Sequence, residues 1–533
     1  MTDIQSTLPS RLLPYRGKAE YMQTPDAALF TMTFLPEENG TFPTVIFRTP
    51  YVDRTETMDE TAVLLDGMKD NLRWLQNGYA VVLQHCRGRG KSGGDCVPYI
   101  NEREDTLALY DFVRAKSFYN GELFLRGESY LASVHYAAAP FADDVKGAVF
   151  GVQDCERYNI CYRNGFMKKA LHGDWYVSMY KTGSHLEKHF THGSFDTLPL
   201  ANFSELVFGE PTEDFDAMLA NPDPESAFWN TRSGGADARH AVRDAGFPVL
   251  LTTGFYDIYT GGIFDLWNGL SESTRKRSAL LVSPYDHGDG CPANSILFPN
   301  GRKKEAFGEN YDVAWFDFIR GKRQNAPFEQ DKVTYYRLFE NRWQTDSFRT
   351  PEKTVVLPLG NTEATYLYNP YDPPSFRGGL CTNFGGAEFQ DAPHSRHDII
   401  SVYSEPFASD SFIKGKMRAR LLVRTDCEDT CFYVRVSLVK DQGDYGLRDD
   451  ITSVCREVPA YRPGEKAYLD FTFDEHAFLI RKGERLRVDI ASADNAHYVR
   501  HTNLKGLYSR KERAVPAHNT VFLGESVLIL PVE

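Results

Sequence analysis

The stretch Leu123-Phe124-Leu125-Arg126-Gly127-Glu128-Ser129-Tyr130-Leu131-Ala132 constrains this chain most, because it reads as a short apolar strand entering a tight turn that holds one serine. Leu131 to Ala139 is alanine-rich and spaced like a helix, so the local order is strand, turn, helix. Glycine close to the serine lets the backbone turn sharply and leaves the hydroxyl exposed at the end of a sheet. The pattern G-x-S-x-G is only partly met, since Leu131 stands where the second glycine would be. A lone Gly-x-Ser also fits an ordinary strand-to-helix turn with serine near an N-cap, so the rest of the chain must supply the chemistry.

Strands and helices alternate around that turn. Ala28 to Phe34 and Thr44 to Arg48 read as strands, the second stopped by Thr49-Pro50-Tyr51, which leaves a tyrosine at its mouth. Glu60 to Gln76 carries Leu64, Leu65, Met68, Leu72 and Leu75 along one helical side. Tyr79 to Leu83 is a buried strand, and Glu104 to Ala115 is an amphipathic helix leading into the serine strand. The alternation resumes with Phe247 to Thr253, a helix from Gly262 to Leu270, and Ala279 to Pro284. This order predicts a mostly parallel sheet covered on both faces, with its site at the carboxyl ends of the strands.

Two other regions differ in character. From Asp154 to Ala245 the sequence is polar, aromatic and helical, with Trp175, Tyr176, Phe215 and Trp229 among its rings, and reads as an insertion. From about Val333 onward helices nearly vanish, and Arg418 to Arg424, Phe432 to Val439, Tyr468 to Phe473 and Arg485 to Ile490 are strand-like, which indicates a jelly-roll β-sandwich. The expected domains are 1–150 with 246–330 for the α/β part, 151–245 for a helical cap and 331–533 for the sandwich, joined near Asn325 to Pro327.

Composition removes several function classes. The formal charge of −13, with no basic run beyond Arg302-Lys303-Lys304 or Arg510-Lys511, argues against a nucleic-acid partner. Nine scattered cysteines without metal-ligand spacing read as reduced thiols, and with no signal-peptide pattern and no membrane-length apolar run they point to a soluble cytoplasmic protein; a homodimer is compatible with this. Gly90-Lys91-Ser92 imitates the end of a phosphate-binding loop, but His85 stands where that motif needs glycine, and Gly93-Gly94-Asp95 turns rather than opening a helix. His185, His189 and His192 fall on one helical face, yet Glu187 comes two residues after the first histidine rather than directly after it, so a solvated polar face is the better reading than zinc. No metal or cofactor is expected.

A serine hydroxyl becomes a useful nucleophile when an imidazole takes its proton and a carboxylate orients that imidazole. Ser129, Asp257 and His287 supply these parts in the chain order Ser, Asp, His, each just past an expected strand. Asp286 adjoins His287, but neighbouring side chains diverge, which favours Asp257. The Tyr130 N–H and the Tyr51 hydroxyl are the candidate oxyanion donors.

The sequence resembles the α/β-hydrolase serine hydrolases that include cocaine esterase, the α-amino acid ester hydrolases, glutaryl acylases and X-prolyl dipeptidyl aminopeptidases. The matching pieces are Arg48-Thr49-Pro50-Tyr51, the run from Arg87 to Gly94, Gly127-Glu128-Ser129-Tyr130-Leu131-Ala132, Gly254-Phe255-Tyr256-Asp257 and Pro284-Tyr285-Asp286-His287. Ala132 replaces a glycine of the family pattern G-x-S-Y-x-G, and His85 replaces an aspartate. The resemblance implies Ser129 as nucleophile, Asp257 and His287 as its partners, and Tyr51 with Tyr130 as the oxyanion hole. It implies a small ester or amide substrate cleaved through an acyl-enzyme. The chain lacks the additional N-terminal domain of the larger X-prolyl peptidases, which favours an esterase or acylase over dipeptidyl-peptidase activity. Readings of other classes are an inactive carbohydrate- or protein-binding module and metal-dependent hydrolysis through His185 and His189.

Overall fold

Apolar runs at Ala80–His85, Phe42–Thr49, Tyr119–Glu128, Val145–Gly151, Val249–Gly254, Ala279–Ser283 and Lys332–Arg337 lie side by side, in that order, as parallel strands. The structure is a computed structural model that describes residues 2–3, 15–52, 59–181, 188–238, 241–290, 295–380, 385–393 and 395–533. Alternate side chains of the strands feed two cores, as a period of two requires. Val45, Val81, Phe124, Leu250 and Leu281 pack with Leu64, Met68, Trp74, Trp315 and Phe316 on one face. Ile46, Val82, Leu125, Leu251 and Val282 pack with Leu109, Ala132 and Ile263 on the other. Antiparallel strands, including Ala28–Leu35 and Arg16–Gln23 at one edge and Arg342–Asp346 at the other, bring the sheet to eleven among the described residues.

A β-sandwich follows. One antiparallel sheet contains Thr354–Pro358, Val527–Pro531, Arg418–Thr425, Ala517–Phe522 and Glu363–Tyr368, and a second contains Ile400–Tyr403, Arg485–Ala491, Cys431–Lys440 and Gly443–Ser453. The α/β-hydrolase architecture with a C-terminal sandwich is therefore present. No helix among the described residues is long and apolar enough to cross a membrane. The seven cysteines described as free are Cys86, Cys96, Cys155, Cys161, Cys427, Cys431 and Cys455.

Several sequence expectations need correction. Lys332–Arg337 and Arg342–Asp346 belong to the large sheet rather than the sandwich, because Val333 and Tyr335 continue the parallel pairing on Ala279–Ser283. The division expected at residue 331 thus falls short of the sheet's last strands. The helix expected over Glu60 to Gln76 is two, Glu60–Asp70 and Leu72–Gln76, broken where the Asn71 side chain turns back onto the Gly67 carbonyl at 2.8 Å. In the histidine-rich segment, His185 lies outside the described residues, 188–191 is not helical, and His192–Asp196 is a single 3-10 turn capped by Thr191. No group of three or more metal-ligating side chains is assembled among the described residues.

The insertion also contains a strand pair, Tyr162–Arg163 with Phe166–Met167, turned by Asn164 and Gly165 at φ 48° and 86°. Asn-Gly is the pair that such a tight hairpin selects. Its Arg163 reaches into the sandwich, donating to Asp450 and Asp474 carboxylates and the Thr472 carbonyl, each at 2.8 Å. Both aspartates are buried. Arg163→Met leaves them without their cation and should lower the unfolding free energy by about 3–5 kcal/mol; a change below about 1 kcal/mol in a denaturant titration would show that the clamp carries no stability.

Candidate active site

Ser129 follows the strand Tyr119–Glu128 and precedes the helix Tyr130–Tyr136, with φ 55° and ψ −132°. A side chain rarely adopts this left-handed backbone region, and its hydroxyl is thereby pushed out of the sheet edge. Its N–H donates to the Gly151 carbonyl of the neighbouring strand at 2.9 Å. Gly127 is required by close approach: a Cβ there would sit 2.1 Å from the Leu131 carbonyl oxygen and 2.5 Å from the Ala132 nitrogen. Ala132, in place of the family glycine, is accommodated as a fully buried methyl.

The residue after the serine is anchored from below. Tyr130 is buried, and its hydroxyl donates to Glu102 at 2.7 Å while accepting the Tyr99 N–H at 2.7 Å. Glu102 is held in turn by Arg48 at 2.5 Å, and Arg48, itself fully buried, also donates to Gln84 and Thr106 at 2.8 Å. Arg48 and Tyr130, two residues of separate sequence motifs, thus belong to one hydrogen-bonded chain that fixes the first turn after Ser129.

Tyr51 lies two residues beyond the strand Phe42–Thr49. Its hydroxyl is 3.2 Å from Ser129 Oγ. Although Tyr51 is 46% exposed, its oxygen is turned inward: burial raises the phenol pKa, while Ser129, the Tyr130 N–H and the Trp175 indole pull the other way. The glycine-rich loop that imitated a phosphate site braces this turn. Arg89 Nε donates to the Pro50 carbonyl at 2.5 Å, the Gly90 N–H to Val52 at 3.1 Å and the Cys86 N–H to Thr49 at 2.9 Å.

Asp257 and His287 follow the strands Val249–Gly254 and Ala279–Ser283. His287 Nδ1 is 2.9 Å from Asp257 Oδ1, and Asp257 is fully buried. Thr253 donates to the other carboxylate oxygen at 2.8 Å, and the Tyr259 N–H to Oδ1 at 3.3 Å. Asp286 is occupied elsewhere, accepting the Gly288 and Gly290 N–H groups at 3.1 and 3.0 Å. The Tyr259 ring lies edge-on to His287 with centroids 5.6 Å apart. Burial pushes the Tyr259 phenol well up, with Tyr99, Asp257 and Tyr51 adding. Arg126 holds the Glu128 carboxyl down at about 2, with Lys303 and the nearby His287 contributing. Tyr99, Tyr130 and Trp175 form an aromatic wall, with centroids 4.8 to 5.9 Å apart.

Residues 27–289 match the family model of X-Pro dipeptidyl-peptidase (S15 family), and residues 322–527 match that of the X-Pro dipeptidyl-peptidase C-terminal non-catalytic domain. The chain belongs to this family of hydrolases. It is 23% identical to cocaine esterase from Rhodococcus sp. (strain MB1 Bresler), over 94% of this chain and 95% of that one. The fold is shared with an aminopeptidase from a marine sediment Thaumarchaeota archaeon, at TM-score 0.81 and 18% identity, covering 99% of this chain and 98% of the other. It is shared equally with an α-amino acid ester hydrolase, at TM-score 0.79 and 17% identity over 100% and 99% of the two chains.

In this S15-family chain the structure brings Tyr51, Ser129 and Tyr130 together past one pair of adjacent strands and Asp257 with His287 past another. Sequence reasoning assigned no role to Arg48, Arg89, Glu102, Thr253 or Tyr259. Glu102 carried one available signal, an acid in the first turn of the helix Glu102–Arg114, beginning two residues earlier than expected.

The aspartate-to-histidine change at position 85 produces a packed neutral imidazole rather than an ion pair. His85 is buried against Phe30, accepts the Lys91 N–H at 3.4 Å and occupies the space where a Gly90 side chain would lie. Arg87 pairs instead with Asp26 at 2.8 Å and Asp105 at 2.7 Å. Burial pushes His85 down to about 4 from 6.5. The unfolded imidazole therefore binds its proton as pH falls through about 6.5, while the folded one holds off until about 4, and stability drains away between those values. Relative to His85→Gln, the wild type should lose about 1.4 kcal/mol per pH unit below pH 6.5. A difference that stays constant between pH 7 and pH 5.5 in urea titrations would contradict this.

Proposed function

We propose that the protein is a serine hydrolase that cleaves an ester or amide through an acyl-enzyme. Ser129 attacks the carbonyl carbon and passes its proton to the His287 ring nitrogen opposite Asp257. Asp257 keeps the Nδ1 proton in place and stabilises the imidazolium that forms. The negative charge that develops on the carbonyl oxygen is received by the Tyr51 hydroxyl and the Tyr130 N–H, donors already fixed before the reaction. The imidazolium then gives its proton to the departing alcohol or amine, and water repeats the sequence to release the acid.

The observation that carries this reading is the position of Ser129: a left-handed turn at a strand end, with the Tyr51 hydroxyl 3.2 Å from its Oγ. The family's descriptions include a dipeptidyl-peptidase, and the structural relatives include an aminopeptidase. Both activities require a carboxylate for a free ammonium group. Three carboxylates of the site are committed: Glu128 to Arg126 at 2.8 Å, Glu102 to Arg48 and Tyr130, and Asp257 to His287 and Thr253. With the aromatic wall beside them, this favours an uncharged, apolar acyl group, as in a simple ester.

Hydrolysis of a nitrophenyl ester should fall at least about 10⁴-fold in Ser129→Ala. Tyr51→Phe should lower kcat about 10²–10³-fold with little change in KM. Full activity in Ser129→Ala, or a Tyr51→Phe effect confined to KM, would overturn the assignment.

A further inference from the structure

Asp257 holds one nitrogen of His287, Nδ1, at 2.9 Å. A single contact lets a ring tilt, so where the other nitrogen points depends on the main chain that carries His287. That chain is a tight turn. Two residues on, Asp289 sits at φ 56°, in the left-handed region that few side chains adopt. Its N–H donates to the Asp286 carbonyl at 3.1 Å, but its carboxylate needs a holder, because Oδ1 is buried and accepts no hydrogen bond among the described residues. Lys303 is placed to hold it. The Lys303 N–H donates to Asp289 Oδ2 at 2.8 Å, and the ammonium lies 3.4 Å from Oδ1. Lys303 is 5% exposed, and Asp289 is its one ion-pair partner among the described residues. A buried ammonium and a buried carboxylate oxygen therefore depend on each other.

Lys303 is itself fixed from the other side of the same turn. Tyr285, two residues before His287, donates its hydroxyl to the Phe298 carbonyl and accepts the Phe298 N–H, both at 2.9 Å. Gly301 packs so closely that a Cβ there would lie 2.7 Å from the Pro284 ring. The large sheet anchors this stretch as well: the Tyr336 hydroxyl donates to the Pro299 carbonyl at 2.7 Å, and the Trp343 indole to the Asn300 carbonyl at 2.8 Å. Residues 298–303 thus grip the turn on both sides of His287, through Tyr285 before it and Asp289 after it.

We propose that Lys303 is a positioning residue for the hydrolysis: acting through Asp289, it fixes the main chain of the His287 turn so that the ring nitrogen opposite Asp257 meets the Ser129 hydroxyl. Lys303 has this role only if His287 serves Ser129 as proposed above. It acts at two removes from the reacting atoms, so its loss slows proton transfer and leaves substrate binding intact. Acylation and deacylation both pass a proton through His287, and kcat reports the effect whichever step is slower.

Kinetics of Lys303→Met, Asp289→Gly and the double variant on a nitrophenyl ester check the proposal, with circular dichroism to show that each is folded. Glycine adopts φ 56° freely, so Asp289→Gly keeps the turn accessible and removes the carboxylate; it decides the matter if Lys303→Met fails to fold. Each single variant should lower kcat at least about tenfold with KM within about twofold of wild type, and the double variant should lose no more than the worse of the two. Lys304 is exposed on the same short helix, Lys303–Phe307, and Lys304→Met should leave kcat unchanged. Wild-type kcat in either folded single variant, an effect confined to KM, losses that multiply in the double variant, or an equal loss in Lys304→Met would each overturn the role of Lys303. Ser129→Ala tells the two readings apart. If it abolishes hydrolysis while Lys303→Met does not slow it, Lys303 has no positioning role and the serine chemistry stands; if it leaves hydrolysis intact, both fall.

Discussion

A serine at φ 55° occupies a conformation that an isolated chain leaves readily, at a cost of about 1–3 kcal/mol. The rest of the site depends on what holds it there. The Gly151 carbonyl takes its N–H, the bare Cα of Gly127 lets the Leu131 carbonyl close over the turn, and Tyr130 ties the first helical turn down to Glu102 and Arg48. Removing any of these leaves the Ser129 hydroxyl in place chemically and free conformationally. The Arg48-Thr49-Pro50-Tyr51 motif consequently does two things at once: its first residue supports Tyr130, and its last reaches the serine.

The sandwich supports the other half of the site. Phe255, two residues before Asp257, and Phe264, in the helix Thr260–Gly269 after it, pack on Phe348, with Phe255 also against His476. The Tyr256 hydroxyl donates to the Gly446 carbonyl in the sandwich at 2.9 Å. The two residues just before Asp257 are therefore both anchored in the C-terminal region. The C-terminal region thereby helps to fix the carboxylate that meets His287 Nδ1.

Most of the architecture was legible in the sequence because it follows from local signals. Apolar runs of strand length, amphipathic helices between them and polar residues just past strand ends gave the parallel sheet and the candidates Tyr51, Ser129, Tyr130, Asp257 and His287. The less legible features depend on tertiary contacts. Nothing in the spacing says that Glu102 bridges Arg48 and Tyr130, or that Arg89 holds the Pro50 carbonyl, since each pair is brought together only by the sheet. The last two strands of the large sheet were assigned to the sandwich because pairing partners cannot be read from a strand's own pattern. The Asn164-Gly165 hairpin did carry a local signal, obscured by the aromatic, helix-like composition around it.

The central claim is that a covalent bond forms at Ser129. Rapid quenching during turnover of a nitrophenyl ester, followed by peptide mass spectrometry, measures it directly. The account predicts one acyl group on the peptide containing Ser129, appearing within the burst of nitrophenol and lost as substrate is exhausted. Steady turnover with no acyl group on that peptide, or with the acyl group on another residue, would contradict it.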